Sequence, residues 1–342
     1  MKTIRLSTGL EDMLEAGRII RAGGLVAFPT ETVYGLGANA LDSDAVRSVY
    51  AAKGRPSDNP MIVHISDARE LEPLVRGGRQ GVSMDALKVI GKFWPGPLTL
   101  VFPKSDLVPY AVTGGLDTIA IRMPSNESAR KLIAASDRPI AAPSANISGR
   151  PSPTTAEDVL EDMDGRIDAI IMGEQCDVGI ESTVLDMTGE TPTILRPGII
   201  TREMLSEAIG CAVEYDRHLT DRQAGADPAD GVSDTEYRPK SPGMKYKHYS
   251  PKARVVLIGG DDDRFALIEA ELESRADNKG MKSAVLDYGD DPRKAAHRLF
   301  ADLRELDRNG YDVIFIRTLE ESGLGFSVMN RMLRSAGYEV IK

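Results

Sequence analysis

The sequence is poor in cysteine. Its 342 residues hold two, Cys176 and Cys211, too few for a disulfide framework or a four-thiolate zinc site, so a reducing cytoplasm is the expected compartment. Aromatic residues are scarce too, at 5% with one tryptophan, which argues against a surface of exposed rings for stacking carbohydrate or single-stranded RNA. No apolar run approaches the roughly 20 residues of a membrane span. The N-terminal stretch MKTIRLSTGLEDML carries acidic residues where a signal peptide needs apolar ones. No membrane association is expected. Positive charge is in deficit: 42 Lys and Arg against 52 Asp and Glu give a net charge of -10. A polyanion must therefore find a local basic site. No HxxxH, HExxH or Cys/His cluster occurs, so no dedicated transition-metal site is expected.

What is present is an ordinary globular balance, 42% hydrophobic and 27% charged, in a chain long enough for two domains. Over residues 1–210, short strand-like runs (LVAFPT, MIVHI, LTLVF, TIAIRM, PIAAP, AIIM, STVLDM, TILRP) outnumber helical patterns, which reads as an α/β domain on a mixed sheet. Residues 211–252 turn polar, with Gly, Pro, Asp and Ser interleaved, and read as a linker. It ends in the basic, aromatic-bearing segment SPGMKYKHYSPKA, Ser241 to Ala253. From 253 to 342 strands and helices alternate strictly, predicting a small Rossmann-like parallel sheet. Its first strand runs into GGDDD, which lacks GxGxxG spacing and would repel a pyrophosphate, so this domain is not expected to bind a nucleotide.

The chemistry gathers in the first domain. PTETVYGLG (Pro29–Gly37) follows the first of these runs and predicts a tight loop offering hydroxyls and amides, or else a plain glycine turn. In KGRPSDNPMIVH (Lys53–His64), Lys53 and Arg55 stand one residue apart with Asn59 behind them. That pair suits a phosphate chain, Lys as a point charge and Arg as a bidentate fork. It also suits the C-terminus of a helix, and both can hold together. His64 sits in a strand, where a satisfied polar group is as natural as a catalyst. Arg122, in the apolar strand TIAIRM, must find an anion or incur a large desolvation cost. APSANISGRPSPT (Ala142–Thr154) places Ser144, Asn146, Ser148 and Ser152 in a rigid hydroxyl-rich loop that is not a Walker loop. GIESTVLD and LRPG bring Ser182 and Arg196 to strand ends. Glu181 is open as a general base or a structural hydrogen-bond partner. Cations and small hydroxyls without a partnered nucleophile favour catalysis by positioning and charge neutralisation on a phosphate-bearing substrate.

PTETVYGLG, KGRPSDNP with His64, FWPGPLT, APSANISGRPSPT, GIESTV and LRPG, in this order, closely resemble the YrdC-like threonylcarbamoyl-adenylate synthases. The match spans roughly residues 5 to 210. The linker and the small α/β domain resemble the longer, two-domain branch of that family. The resemblance implies a YrdC-like twisted mixed-sheet catalytic domain that condenses L-threonine, bicarbonate or CO₂, and ATP into L-threonylcarbamoyl-adenylate and pyrophosphate. Other proteins would then transfer the product to tRNA next to the anticodon, so tRNA is an indirect partner. Carried over by motif, Thr32, His64, Arg122, Ala142 and Ser182 would contact threonine. Lys53, Arg55, Asn59, Thr118, Ser144, Ser152, Arg196 and the linker's Tyr237 would contact ATP, with Lys53 and Arg55 neutralising charge on the leaving pyrophosphate. Mg²⁺ would arrive with the triphosphate, without a protein site of its own. The linker through Tyr249 would close over the pocket, or else merely dock the second domain. The main alternative is an RNA-binding module for tRNA or ribosome maturation with no synthase activity, which the acidic charge opposes. Carbamoyl transfer from carbamoyl phosphate is weaker still, since the zinc-finger cysteines of the larger maturation proteins are missing.

Overall fold

The computed structural model describes residues 2–223, 248–260 and 262–341. The first body begins β1 (Ile4–Leu6), α1 (Leu10–Arg21), β2 (Val26–Phe28), β3 (Gly35–Asn39), α2 (Ser43–Lys53), β4 (Ile62–His64) and α3 (Met84–Phe93). It continues β5 (Leu98–Pro103), α4 (Tyr110–Thr113), β6 (Thr118–Arg122), α5 (Glu127–Ser136), β7 (Ile140–Ala142), α6 (Ala156–Met163) and β8 (Ala169–Ile171). It ends β9 (Thr183–Asp186), β10 (Thr193–Arg196), α7 (Arg202–Ile209), β11 (Glu214–Tyr215) and α8 (Arg217–Gln223). These strands form one sheet in the order β1-β8-β2-β3-β7-β4-β6-β5-β9-β10-β11, with parallel and antiparallel neighbours mixed.

The second body is β12 (Arg254–Ile258), α9 (Asp262–Asn278), β13 (Ser283–Leu286), α10 (Pro292–Arg308), β14 (Val313–Arg317), α11 (Gly323–Ser335) and β15 (Val340–Ile341). Its sheet runs β13-β14-β12-β15 with every pair parallel, as the alternating pattern requires.

Two local readings need correcting. The glycines of PTETVYGLG do not make a turn: Gly35 and Gly37 lie inside β3, paired with Phe28 and Val26. Their value is thinness. A Cβ on Gly37 would fall 2.8 Å from Ile140 and 2.9 Å from Phe28, which no strand neighbour tolerates. The polar stretch read as linker from 211 also begins with regular structure, because Glu214 and Tyr215 pair with β10 at the sheet edge and Val213 and Leu219 are buried in the first core.

The second core is not confined to its own body. Val33 and Ile180 of the first body are buried among Leu299, Phe300, Val328 and Tyr249. Burying such side chains drives docking by roughly 1.5–3 kcal/mol each. Gly179 permits the approach: its φ is +81°, and a Cβ there would stand 2.4 Å from the Ala296 carbonyl oxygen of α10.

Candidate active site

The site is laid on one face of the sheet. β4 and β6 run parallel in the register Ile62 to Ala120 and His64 to Arg122. Strand alternation therefore turns Ile62, His64, Ala120 and Arg122 to one side and Val63 and Ile121 to the other, into the main core. β7 adds Ala142 opposite Ile62. Thr118 shares that face at the far end of β6, about 13 Å from Arg122 by strand rise. Ile62, Val101, Ala120, Val184 and Leu195 form a small apolar floor.

Above it lies a cavity of about 60 Å³, room for a few waters at roughly 15 Å³ each. Of the residues singled out in the sequence, Thr32, Arg55, His64, Arg122, Ala142, Ser144 and Arg196 line it, as do Glu181, His248 and Tyr249. Lys53, Asn59, Thr118, Ser152 and Ser182 do not line it. Tyr237, like Lys245 and Lys247, lies outside the described residues.

At one end of the cavity stands Arg122, buried, and the anion it needs is Glu31, 2.8 Å away in the β2–β3 loop. Its Nη1 also donates to Thr32 Oγ1 at 2.9 Å and its Nε to the Gly96 carbonyl at 3.3 Å. Burial pushes the Glu31 carboxyl up, but Arg122 outweighs it and the pKa falls below the usual carboxylate value. Thr30 shapes this loop, its hydroxyl accepting from the amides of Thr32 and Val33 at 3.2 Å. Sequence reasoning missed Glu31, although the glutamate of PTET was the available signal.

His64 stands in register beside Arg122. Its Nδ1 donates to the Ile62 carbonyl at 3.2 Å. Burial, then Arg122, pushes its pKa down to about 3, so the ring is neutral at physiological pH and too weak a base to collect a proton. That favours orienting a ligand over proton transfer.

The opposite side is cationic. α2 ends at Lys53, buried, whose Nζ donates to the Ser144 carbonyl at 2.5 Å and to that of Asn146. Lys53 thus fixes the 142–154 loop from behind. Burial and Arg55 hold its ammonium well below the usual lysine range. Arg55 is anchored on the carbonyls of Asn59 and Pro60 at 3.2 and 2.9 Å. Ser144 Oγ donates to Asn146 Oδ1 at 2.5 Å. Arg196 donates to the Ser182 carbonyl and hydroxyl, each at 3.0 Å, and Ser182 shares a 2.8 Å hydrogen bond with Thr99. Ser152 donates to Glu181 at 2.6 Å.

The end of the linker does two things at once. Tyr249 stacks on Phe300 of the second body, centroids 5.0 Å apart, while His248 and Tyr249 both wall the cavity. Burial, then Arg55 and three further cations, keeps His248 well below the usual histidine value and hence neutral.

Among the described residues, no helix is long and apolar enough to cross a membrane.

Two family models tile the chain. Residues 18–198 match the Sua5/YciO/YrdC family, described as "Telomere recombination", and residues 200–337 match "Threonylcarbamoyl-AMP synthase, C-terminal domain". A threonylcarbamoyl-AMP synthase of Pyrococcus abyssi is 46% identical over 96% of this chain and 94% of its own. One of Bacillus subtilis is 42% identical over 99% and 97%. The crystal structure of P. abyssi Sua5 complexed with L-threonine superimposes with a TM-score of 0.89 at 44% identity, covering 100% of this chain and 99% of that one. With both halves matched and relatives aligned end to end, this chain belongs to the threonylcarbamoyl-AMP synthase family, and its α/β fold, a YrdC-like domain followed by a parallel-sheet domain, is that family's fold.

Proposed function

We propose that the protein condenses L-threonine, bicarbonate or CO₂, and ATP into L-threonylcarbamoyl-adenylate, releasing pyrophosphate. The observation that carries this reading is the division of one sheet face: a buried guanidinium beside a neutral histidine at one end, and separate cations and hydroxyls around the rest. Threonine belongs at the first end, its carboxylate on Arg122 with Thr32, His64, Ala142 and Ser182 around it. ATP belongs along the remainder, with Arg55, Ser144 and Arg196 at the cavity and Lys53, Asn59, Thr118 and Ser152 around it.

In this reading the neutral threonine amine adds to CO₂, forming the C–N bond of a carbamate and giving up one N–H proton to solvent water. A carbamate oxygen then attacks the α-phosphorus in line, and the α–β phosphoanhydride bond breaks as pyrophosphate leaves. Arg55 and Lys53 offset the charge that develops on the leaving group. Glu181 in the cavity wall is paired with Arg331, and Glu31 outside it with Arg122, so magnesium would enter as the MgATP substrate, held by the triphosphate. The linker end would help exclude water from the labile adenylate. The tRNA would be met by downstream transferases, in keeping with a chain of net charge -10.

The test is nucleotide analysis by mass spectrometry after incubation with MgATP, threonine and bicarbonate. Threonylcarbamoyl-AMP should form in the complete mixture and vanish when any one component is omitted. No adduct in the complete mixture would overturn the proposal, and tight, ATP-independent retention of tRNA would revive the RNA-binding module.

A further inference from the structure

Glu181, which lines the cavity, and Glu31, which does not line it but pairs with the cavity's Arg122, are neutralised from different places. Glu31 is paired by Arg122, within the first body. Glu181 is paired by Arg331 of α11, in the second body, with Nε 3.2 Å from Oε2. Arg331 is wholly buried. Its Nη1 donates to the Pro197 carbonyl at 2.5 Å, and one helical turn away Ser327 Oγ donates to the Gly198 carbonyl at 2.8 Å. α11 is therefore pinned across the LRPG turn that carries Arg196, and its guanidinium reaches through to the cavity wall.

The need for that guanidinium is electrostatic. Glu181 lines the cavity, accepts from Ser152 and lies close to Arg196. Left unpaired, it would repel a polyphosphate or draw Arg196 away from Ser182. We infer that Arg331 is a positioning residue for the nucleotide half of the site: supplied by the C-terminal body, it neutralises Glu181 and leaves Arg196 free to meet phosphate. The inference rests on the ATP reading above, and it gives the second body a direct part in the active site.

The groups facing Glu181 are Arg331 on α11, Arg196 on β10 and Tyr249 at the linker end, with Arg334 one turn beyond Arg331 facing Tyr249. Burial pushes Glu181 up, yet Arg331 and then Arg196 outweigh it and hold it below the usual carboxylate value. Without Arg331 burial is opposed mainly by Arg196, so the Glu181 carboxyl shifts upward and protonates more readily as pH falls.

Steady-state pyrophosphate release by the full-length protein tests this. R331M should raise the KM for ATP by about tenfold near pH 8 while leaving that for threonine nearly unchanged. The defect should shrink as pH is lowered, because protonating Glu181 removes the offending charge. R331K should recover most of the loss, and in R331M/E181Q the KM for ATP should return close to that of the wild type. A double variant as defective as R331M, or an unchanged KM for ATP in R331M, would overturn the inference in favour of a merely structural role. Should R331M fail to fold, the polar but uncharged R331Q takes its place: R331Q/E181Q should bind ATP more tightly than R331Q, and equal or weaker binding sinks the idea. A wild-type protein that releases no pyrophosphate from ATP would remove the ATP reading and this inference with it. Activity without rescue removes only the inference.

Discussion

Arg304 of α10 is a residue whose loss should be felt in both bodies. Its side chain is completely buried. Nε and Nη2 donate to the Pro151 carbonyl at 3.0 and 2.7 Å, and Nη2 also meets Asp162 Oδ2 of α6 at 2.7 Å. Replacing it with methionine keeps much of the volume and removes the charge. Breaking a buried ion pair costs about 3–5 kcal/mol, but Asp162 retains Arg150 and the Ile147 amide, which argues for the low end. The Pro151 carbonyl loses its donors as well, so the total is about 3–4 kcal/mol. At roughly 2 °C per kcal/mol for a chain of this size, the melting temperature should fall by about 6–8 °C.

The effect should also reach the cavity. Asp162 holds Ile147, and the adjoining Ser144 and Asn146 carbonyls hold Lys53. Loosening Asp162 loosens the loop that presents Ser144, so R304M should raise the KM for ATP several-fold at temperatures where the protein remains folded. Differential scanning calorimetry with ATP titrations by pyrophosphate release would measure both. A melting temperature within about 2 °C of the wild type would refute the ledger, and a loss of stability with unaltered ATP kinetics would refute the link to the loop.

Three further outcomes follow from the cavity. Lys53 has its ammonium held below the usual lysine range by burial and Arg55, and a bound polyanion favours the protonated form. At a pH high enough to deprotonate Lys53 in the free protein, ATP binding should therefore take up protons, seen in calorimetry as a heat that varies with buffer ionisation enthalpy. No buffer dependence would contradict it, and K53M should abolish it. E31Q strips Arg122 of its counter-charge while Thr32 and Gly96 remain as partners, so stability without ligand should fall by about 3 kcal/mol. Threonine should then raise the melting temperature more than it does in the wild type, and an E31Q protein of unchanged stability would show the pair to be dispensable. His64, with a folded pKa of about 3 against about 6.5 unfolded, binds its proton more readily in the unfolded chain. Its contribution is complete above about pH 6.5 and is lost as pH falls from there toward 3. Imidazole NMR should find the ring neutral at pH 5, and a titration near 6.5 would rule this out.

What the sequence disclosed depended on whether a constraint was local. Arg122 was legible because an arginine in an apolar strand demands an anion wherever it folds. The identity of that anion was not, since it depends on the β2–β3 loop lying over the end of β6. Lys53 announced itself as a helix-ending cation, yet its carbonyl partners come from a loop in a distant part of the chain. Gly35 and Gly37 looked like turn residues because glycine signals both a free φ and a close approach, and only packing against Phe28 and Ile140 decides between them. The short β11 carried too few residues for periodicity to register. The regular pattern of the second body was read directly, because parallel strands and their helices repeat the same local signals.

Least visible was the way the two bodies hold each other. Arg304 and Arg308, four apart on α10, look in sequence like a solvated face, and so do Asp158, Glu161 and Asp162 on α6. Together they are one interface. Charge complementarity between two helices of different domains was the signal that was available. Such pairs are a poor source of net stability, because each charge loses its hydration. The apolar contacts of Val33 and Ile180 with Leu299, Phe300 and Val328 are the better source of docking energy. What the charges add is register: an arginine two residues out of place would leave Asp162 to Arg150 alone and Glu181 without its ion-pair partner. Val33 and Glu181 both line the cavity and both belong to this interface. A shift of the second body therefore displaces the cavity wall itself, and the orientation of one domain becomes a determinant of the other's active site.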